Sequence, residues 1–169
     1  MSLNSLRDLF VTELRDVYDA ENRIVTLLPR CVEAASSSDL QEAFEDHLDE
    51  TRDQIRRLDK IFNALGESPL GEKCDAMEGL VRECEAMINE PAESWARDAL
   101  LISMAQRIDH YEIAVYGTVC NYAQHLNETE ALEALHQTLT EEKETDKKLT
   151  KIAEGCLKQA GVKKESRRQ

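Results

Sequence analysis

Two acidic residues in the last long helical pattern, Glu142 and Asp146, are candidate metal ligands. They lie four residues apart in the segment "EEKETDKKL" (141–149), so they project from the same side of a helix. Leucines occupy that side before and after them: Leu132, Leu135, Leu139 and Leu149. A carboxylate is costly to bury in an apolar core unless a partner compensates its charge. Bound cations are one such partner, and the spacing therefore indicates metal binding.

Polar residues also interrupt the apolar side of the other three long helical patterns. Asp109 and Glu112 break the apolar line of the third pattern, and Asp16 lies on the inner side of the first. Gln54 and His47 share one line of the second pattern, where Gln54 could instead be a hydrogen-bond partner and His47 a buried histidine that binds nothing. The complete candidate set is Asp16, His47, Glu50, Gln54, Asp109, Glu112, Glu142 and Asp146.

Clustered carboxylates predict bound cations, because their mutual repulsion is unfavourable unless protons or metal ions intervene. Carboxylates with an occasional imidazole suit iron or manganese better than thiolate-preferring metals. We therefore expect two iron ions per chain, with manganese as the alternative. A hydrated acidic face is the competing interpretation, because 34 acidic residues place some on any helix face. Glu13 and Glu21 are alternate ligands, and three tyrosines are expected to pack and donate hydrogen bonds to inner carboxylates: Tyr18, Tyr111 and Tyr116.

The elements that would position these residues are four long helices. Apolar residues at spacings of three and four predict helices over about residues 3–35, 38–65, 94–126 and 127–160. Short turns join the first helix to the second and the third to the fourth, which predicts two antiparallel hairpins. The segment 66–93 is long enough to cross the bundle, and it contains a short amphipathic stretch around residues 77–88. This all-α pattern is typical of a ferritin-like four-helix bundle with a short additional helix.

Local signals predict where the helices end. Pro29 should kink the first helix or break it into two pieces, and "SDLQ" from Ser38 indicates a capping box that opens the second. Gly66 should end the second helix, and Asn127 should be the N-cap of the fourth. We expect one domain over residues 1–160, followed by a flexible basic tail over 161–169.

Composition excludes several classes of function. A formal net charge of −13 argues against nucleic-acid binding, because that requires basic residues to neutralise phosphates. No apolar run approaches the roughly 18–20 residues that span a bilayer, and the first ten residues lack the features of a signal peptide. The five scattered cysteines suit reduced thiols, with Cys31, Cys120 and Cys156 at core-like positions. We therefore expect a cytoplasmic protein that contacts neither nucleic acid nor membrane.

Several segments resemble the YciF-like bacterial stress proteins, a branch of the ferritin-like superfamily. The resemblance covers about residues 3–155 and is carried by "LRDVYDAENRI", "AFEDHLDETRDQIRRLDKIF", "CDAMEGLVRE", "RDALLISMAQRIDHYEIAVYGT" and "TEEKETDKKL". It implies a rubrerythrin-like bundle with a two-metal centre, an association with stress and, commonly, a homodimer. Two features depart from the family pattern. Helices 2 and 4 lack a Glu-x-x-His pair, and Asp109 stands where relatives often carry Glu.

Two hypotheses follow from these observations. In the first, the protein is a stress-associated ferritin-like protein whose carboxylate-bridged di-iron or di-manganese site handles metal or oxidants. If such a protein is an enzyme, it is an oxidase or peroxidase. In the second, it is a structural or interaction protein that retains the bundle without productive metal chemistry. The two departures from the family pattern favour the second hypothesis.

Overall fold

The computed structural model describes residues 4–166, and it describes side chains for residues 4–158. This part of the chain forms five helices and no strand. They are α1 (Leu6–Ala34), α2 (Ser38–Leu65), α3 (Asp75–Ile88), α4 (Ser94–Leu126) and α5 (Thr129–Ser166). The four long helices and the short helix within 66–93 confirm the all-α prediction. Among the described residues, no helix is long and apolar enough to cross a membrane.

The long helices pack as two hairpins. α1 packs against α2 and α4 packs against α5, while α1 also contacts α4 and α2 also contacts α5. The short helix α3 lies in the crossover between the hairpins and packs on α1 and α4. This connectivity confirms the ferritin-like arrangement.

The ends of α1 and α2 follow from their capping residues, with two differences from the sequence-based expectation. Pro29 lies inside a continuous α1, so the prediction of two separate pieces is wrong. The N-cap of α2 is Ser37, not Ser38, because the buried carboxylate of Asp98 accepts hydrogen bonds from the backbone N–H groups of Ser36 (2.7 Å) and Ser37 (2.9 Å) and fixes the turn there. Gly66 ends α2 as predicted, at a φ of 69° that favours glycine.

The ends of α4 and α5 also differ from expectation. Asn127 is the C-cap of α4, not the N-cap of α5, and its backbone N–H bonds to the last carbonyl groups of α4 at a φ of 59°. Asparagine tolerates this left-handed conformation better than most residues. α5 does not end before Gly161 but continues to Ser166, because one glycine costs a helix only about 1 kcal/mol and no proline follows it. Residues 167–169 of the predicted tail lie outside the described residues.

A layer of polar side chains divides the core into two apolar clusters. One cluster lies near the turn between α1 and α2 and includes Phe44 and Met77. The other lies at the opposite end of the bundle and includes Phe10 and Phe62. On each long helix, buried polar residues lie where one cluster gives way to the other: Glu21 on α1, His47 and Gln54 on α2, Asp109 and Glu112 on α4, and Glu142 on α5. The bundle thus gathers these polar groups in its middle part, where the four helices face each other.

Candidate metal centre

Four buried side chains from three helices meet at this level. His47, Asp109, Glu112 and Glu142 each offer one ligand atom, and these atoms all lie within 4.8 Å of one another. We call these four residues the inner cluster. None of the four is more than 2% exposed. Asp109 and Glu112 can act together because residues three apart on a helix are neighbours on one face.

Glu21 brings the fourth long helix to the same place. It is fully buried, and the hydroxyl of Tyr116 donates a hydrogen bond to its Oε1 atom. The negative charge of Glu142 acts on its pKa, which shows that the two carboxyl groups are close. The sequence offered a signal for this residue, since Glu21 shares an apolar line with Val17, Ile24 and Leu28. On this signal, the sequence predicted Glu21 only as an alternate ligand.

Most polar atoms of this site have no hydrogen-bond partner within the part of the chain that the structure describes. The unpartnered atoms are Oε2 of Glu21, both ring nitrogens of His47, both carboxyl oxygens of Asp109, both of Glu112 and Oε2 of Glu142. A buried polar atom left without a partner costs about 1–3 kcal/mol. Such a concentration of oxygen and nitrogen atoms in one place is what a cation site requires, and the donor set suits iron or manganese.

The site is electrostatically crowded. Burial and the charge of Glu142 raise the pKa of Glu21 to about 8. Burial likewise raises the pKa of Asp109 to about 8, although the nearby His47 opposes this, and burial with the charge of Glu142 raises the pKa of Glu112 well above its usual range. Burial disfavours protonated His47, but Glu142 and Asp109 outweigh it and raise the pKa of the imidazole to about 9. Without cations, the site relieves its repulsion by holding protons.

Gln54 supports the inner cluster from α2. Its Nε2 atom donates a hydrogen bond of 2.6 Å to Oε1 of Glu142. The other oxygen of Glu142, Oε2, lies 3.6 Å from Nε2 of His47. Gln54 therefore orients Glu142, which corresponds to the hydrogen-bonding role that the sequence left open for it.

The structure does not bring the remaining three candidates into the inner cluster. Asp16 accepts a hydrogen bond of 2.5 Å from the hydroxyl of Tyr111. Glu50 is partly buried and accepts one of 3.3 Å from Thr145. Asp146 accepts one of 2.9 Å from Gln106 and lies 3.3 Å from the exposed His110.

Helix geometry explains these placements. Asp16 precedes Glu21 by five residues, which is about 140° around the helix at 3.6 residues per turn. Asp146 follows Glu142 by one turn, about 6 Å along the axis; its carboxylate accepts from Gln106, and its charge acts on the pKa of Asp109 from outside the inner cluster. The tyrosine prediction holds for Tyr116, which donates to the buried Glu21. Tyr111 donates to Asp16 outside the inner cluster, and Tyr18 packs edge-on against Phe62 at 5.9 Å between ring centres.

A bundle of two hairpins with a long crossover and a buried carboxylate–imidazole layer defines the ferritin-like class of protein. The model of the family described as Domain of unknown function (DUF892) matches residues 5–161. The chain is also 40% identical over 154 residues to the protein YciF of Escherichia coli strain K12, which covers 90% of this chain and 93% of that protein. The chain therefore belongs to the DUF892 family, and the resemblance to YciF-like proteins is confirmed.

Solved structures agree with this assignment. The crystal structure of the Escherichia coli stress protein YciF aligns with a TM-score of 0.89 at 38% identity, covering 92% of this chain and 99% of that one. A ferritin-like, diiron-carboxylate protein from Bacillus anthracis strain Ames aligns with a TM-score of 0.68 at 16% identity, covering 90% of this chain and 99% of that one. The second alignment supports the ferritin-like fold alone.

Proposed function

We propose that the inner cluster and Glu21 hold two divalent iron ions, with manganese as the alternative, and that the protein uses them to handle metal or oxidants. The observation that carries this proposal is the convergence of four buried carboxyl groups and one imidazole with most of their polar atoms unpartnered. Two divalent cations would balance the charge of four carboxylates without any proton. This balance is the reason for proposing two ions.

The residues would divide the work among them. Glu21, His47, Asp109, Glu112 and Glu142 would hold the ions, and such ions supply electrons for the reduction of dioxygen or peroxide when bound. Gln54 would orient Glu142, and the hydroxyl of Tyr116 would orient Glu21 by donating a hydrogen bond to its Oε1 atom. The two apolar clusters would keep bulk water away from the site. On this proposal, any enzymatic activity is that of an oxidase or peroxidase.

The biological setting is proposed from the relatives. YciF of Escherichia coli is described as a stress protein, and we propose a stress-associated role for this chain. The cytoplasmic location and the homodimer stay predictions of the sequence and the resemblance. Light scattering on the purified protein would measure its mass in solution, and a monomer would contradict the dimer.

The test is elemental analysis after anaerobic reconstitution with ferrous or manganous salt and removal of excess metal. We expect close to two metal ions per wild-type chain and well under one in the double variant Asp109→Asn/Glu142→Gln. Both substitutions keep the side-chain shape and remove only the charge. Glu144→Gln is the matched control, because Glu144 is an exposed residue of the same helix, and it should bind as much metal as the wild type.

A structural or interaction role without metal chemistry is the second candidate function. It is favoured by the raised pKa values of Glu21 and Asp109, both about 8, which would let the site persist with protons in place of cations. Substoichiometric metal that is unchanged in the double variant would support this role and exclude the first proposal.

A further inference from the structure

Two of the five buried cysteines face each other beside the candidate metal centre. Cys31 of α1 and Cys84 of α3 place their Sγ atoms 3.9 Å apart, and each is at most 3% exposed. A disulfide bond requires about 2.05 Å between the sulfur atoms, so the two sulfurs need to approach by only about 2 Å. An ion pair between their chain neighbours, Arg30 and Glu85, also joins α1 to α3 at this point.

A small cavity lies between this pair and the inner cluster. Its volume is about 10 Å³, and its walls include Cys31, Cys84, His47 and Asp109, together with apolar side chains. Such a volume is on the scale of one water-sized molecule, which occupies roughly 10–15 Å³ by the same measure. A small oxidant that reaches the inner cluster would thus be next to both sulfurs.

The two thiols contact each other, and either sulfur can be the donor. The positive charge of Arg30 acts to lower the pKa of both thiols, which opposes the effect of burial. Because the thiolate is the nucleophilic form of cysteine, the sulfur that loses its proton is the first to react and the other is the second.

We infer that Cys31 and Cys84 form a redox-active dithiol, which a small hydroperoxide oxidises to an intramolecular disulfide. With hydrogen peroxide, one of the two sulfurs attacks one oxygen, the O–O bond breaks, and a sulfenic acid and one water result. The other sulfur then attacks the sulfur of the sulfenic acid, so that the S–S bond forms and a second water leaves. The two sulfurs lose two electrons, the peroxide gains them, and both thiol protons end in water.

The position of α3 allows the sulfurs to meet. This helix has 14 residues and lies between the non-helical segments 66–74 and 89–93. It is not part of either hairpin, so a shift of α3 toward α1 leaves the packing between the four long helices intact. The inference goes beyond the proposed function, because the dithiol can react whether or not metal is bound.

The experiment uses the full-length protein, reduced and stripped of metal with a chelator, and treats it with one equivalent of hydrogen peroxide. Free thiols are then alkylated in denaturant and counted by mass spectrometry. We expect two of the five thiols to be lost and a cross-linked peptide that joins Cys31 to Cys84. Thiol loss spread over other cysteines, a different cross-link, or five thiols remaining would overturn the inference.

Single variants sharpen this result. Cys31→Ser and Cys84→Ser should each abolish the cross-link, whereas Cys120→Ser, at another buried position in the other apolar cluster, should retain it. The peptide map of the wild type decides the matter if a variant fails to fold. A disulfide in a chain that binds no metal would support this inference while excluding the metal proposal. Two bound ions in a chain that keeps five thiols after peroxide would support the metal proposal and overturn this inference.

Discussion

Glu142 illustrates how the surroundings of a single side chain determine what it can bind. Its Oε1 atom accepts the hydrogen bond from Gln54, while its Oε2 atom has no partner among the described residues and lies 3.6 Å from the imidazole of His47. One oxygen is therefore held in place and the other is left for a ligand. Neighbours that orient ligands in this way commonly contribute as much to metal affinity as a weak ligand does.

Replacing Gln54 should weaken metal binding without removing a ligand. In Gln54→Met, Glu142 loses its hydrogen-bond donor, and we expect the affinity for manganese or ferrous ion to fall by about 10-fold or more. Competition against a chelating dye would measure this affinity. Gln137→Met is the matched control, because Gln137 is an exposed glutamine that donates to Glu141 on the surface of α5. Equal affinity in the two variants would contradict an orienting role for Gln54.

Tyr116 should stabilise the metal-free protein through its hydrogen bond to Glu21. Tyr116→Phe removes only the hydroxyl and leaves a buried carboxyl oxygen without a partner, which we expect to lower the free energy of unfolding by about 1–3 kcal/mol. Urea denaturation would measure the difference. Tyr122→Phe is the control, because Tyr122 is only partly buried beside the same apolar cluster. A loss no larger than in that control would rule out the proposed contribution.

The helices themselves were largely predictable, because long apolar periodicity depends on many residues at once. The range 94–126 for α4 and the end of α2 at Gly66 are confirmed. The errors fall at helix ends such as Asn127, where one local contact decides between two caps.

At the candidate site, spacing suffices to place Asp109 and Glu142 on inner faces. It could not separate Glu21 from Asp16, because only packing between helices decides which of two inner acids reaches the common polar layer.

Glycine at the end of α2 should matter more than glycine inside α3. Gly66→Ala puts a side chain at a φ of 69°, which we expect to cost about 1–2 kcal/mol of stability even though the space around it is open. Gly79→Ala is the matched control inside a helix, where no atom lies within 4 Å of the added methyl group, and it should stabilise by about 0.4–1 kcal/mol. Thermal unfolding of both variants would show whether the stability falls in Gly66→Ala and rises in Gly79→Ala. The same sign in both would contradict the assigned helix ends.

Taken as a whole, the molecule consists of two apolar clusters held apart by a polar layer to which all four long helices contribute. The apolar clusters supply most of the stability, since burying each large side chain contributes about 1.5–3 kcal/mol. In the absence of cations the polar layer lowers the stability once its carboxyl groups ionise, because it then crowds like charges in a buried space. Stability and metal binding are therefore coupled through the protons that this layer holds.

That coupling predicts how the stability of the metal-free protein changes with pH. Glu21 and Asp109 have ordinary pKa values of 4.5 and 3.8 but folded values of about 8, and His47 rises from 6.5 to about 9. At a pH between its ordinary and its folded pKa, each group binds more protons in the folded chain than in the unfolded chain. The free energy of unfolding should therefore fall as pH rises from about 5 to 9. Metal ligands must be deprotonated to bind, so added manganese should restore more stability at pH 8 than at pH 6. Urea denaturation across this pH range would measure the stability with and without manganese. In Asp109→Asn the stability of the metal-free protein should fall less steeply with pH, because the amide does not titrate. Metal-free stability that rises with pH would contradict the account of a proton-loaded polar layer.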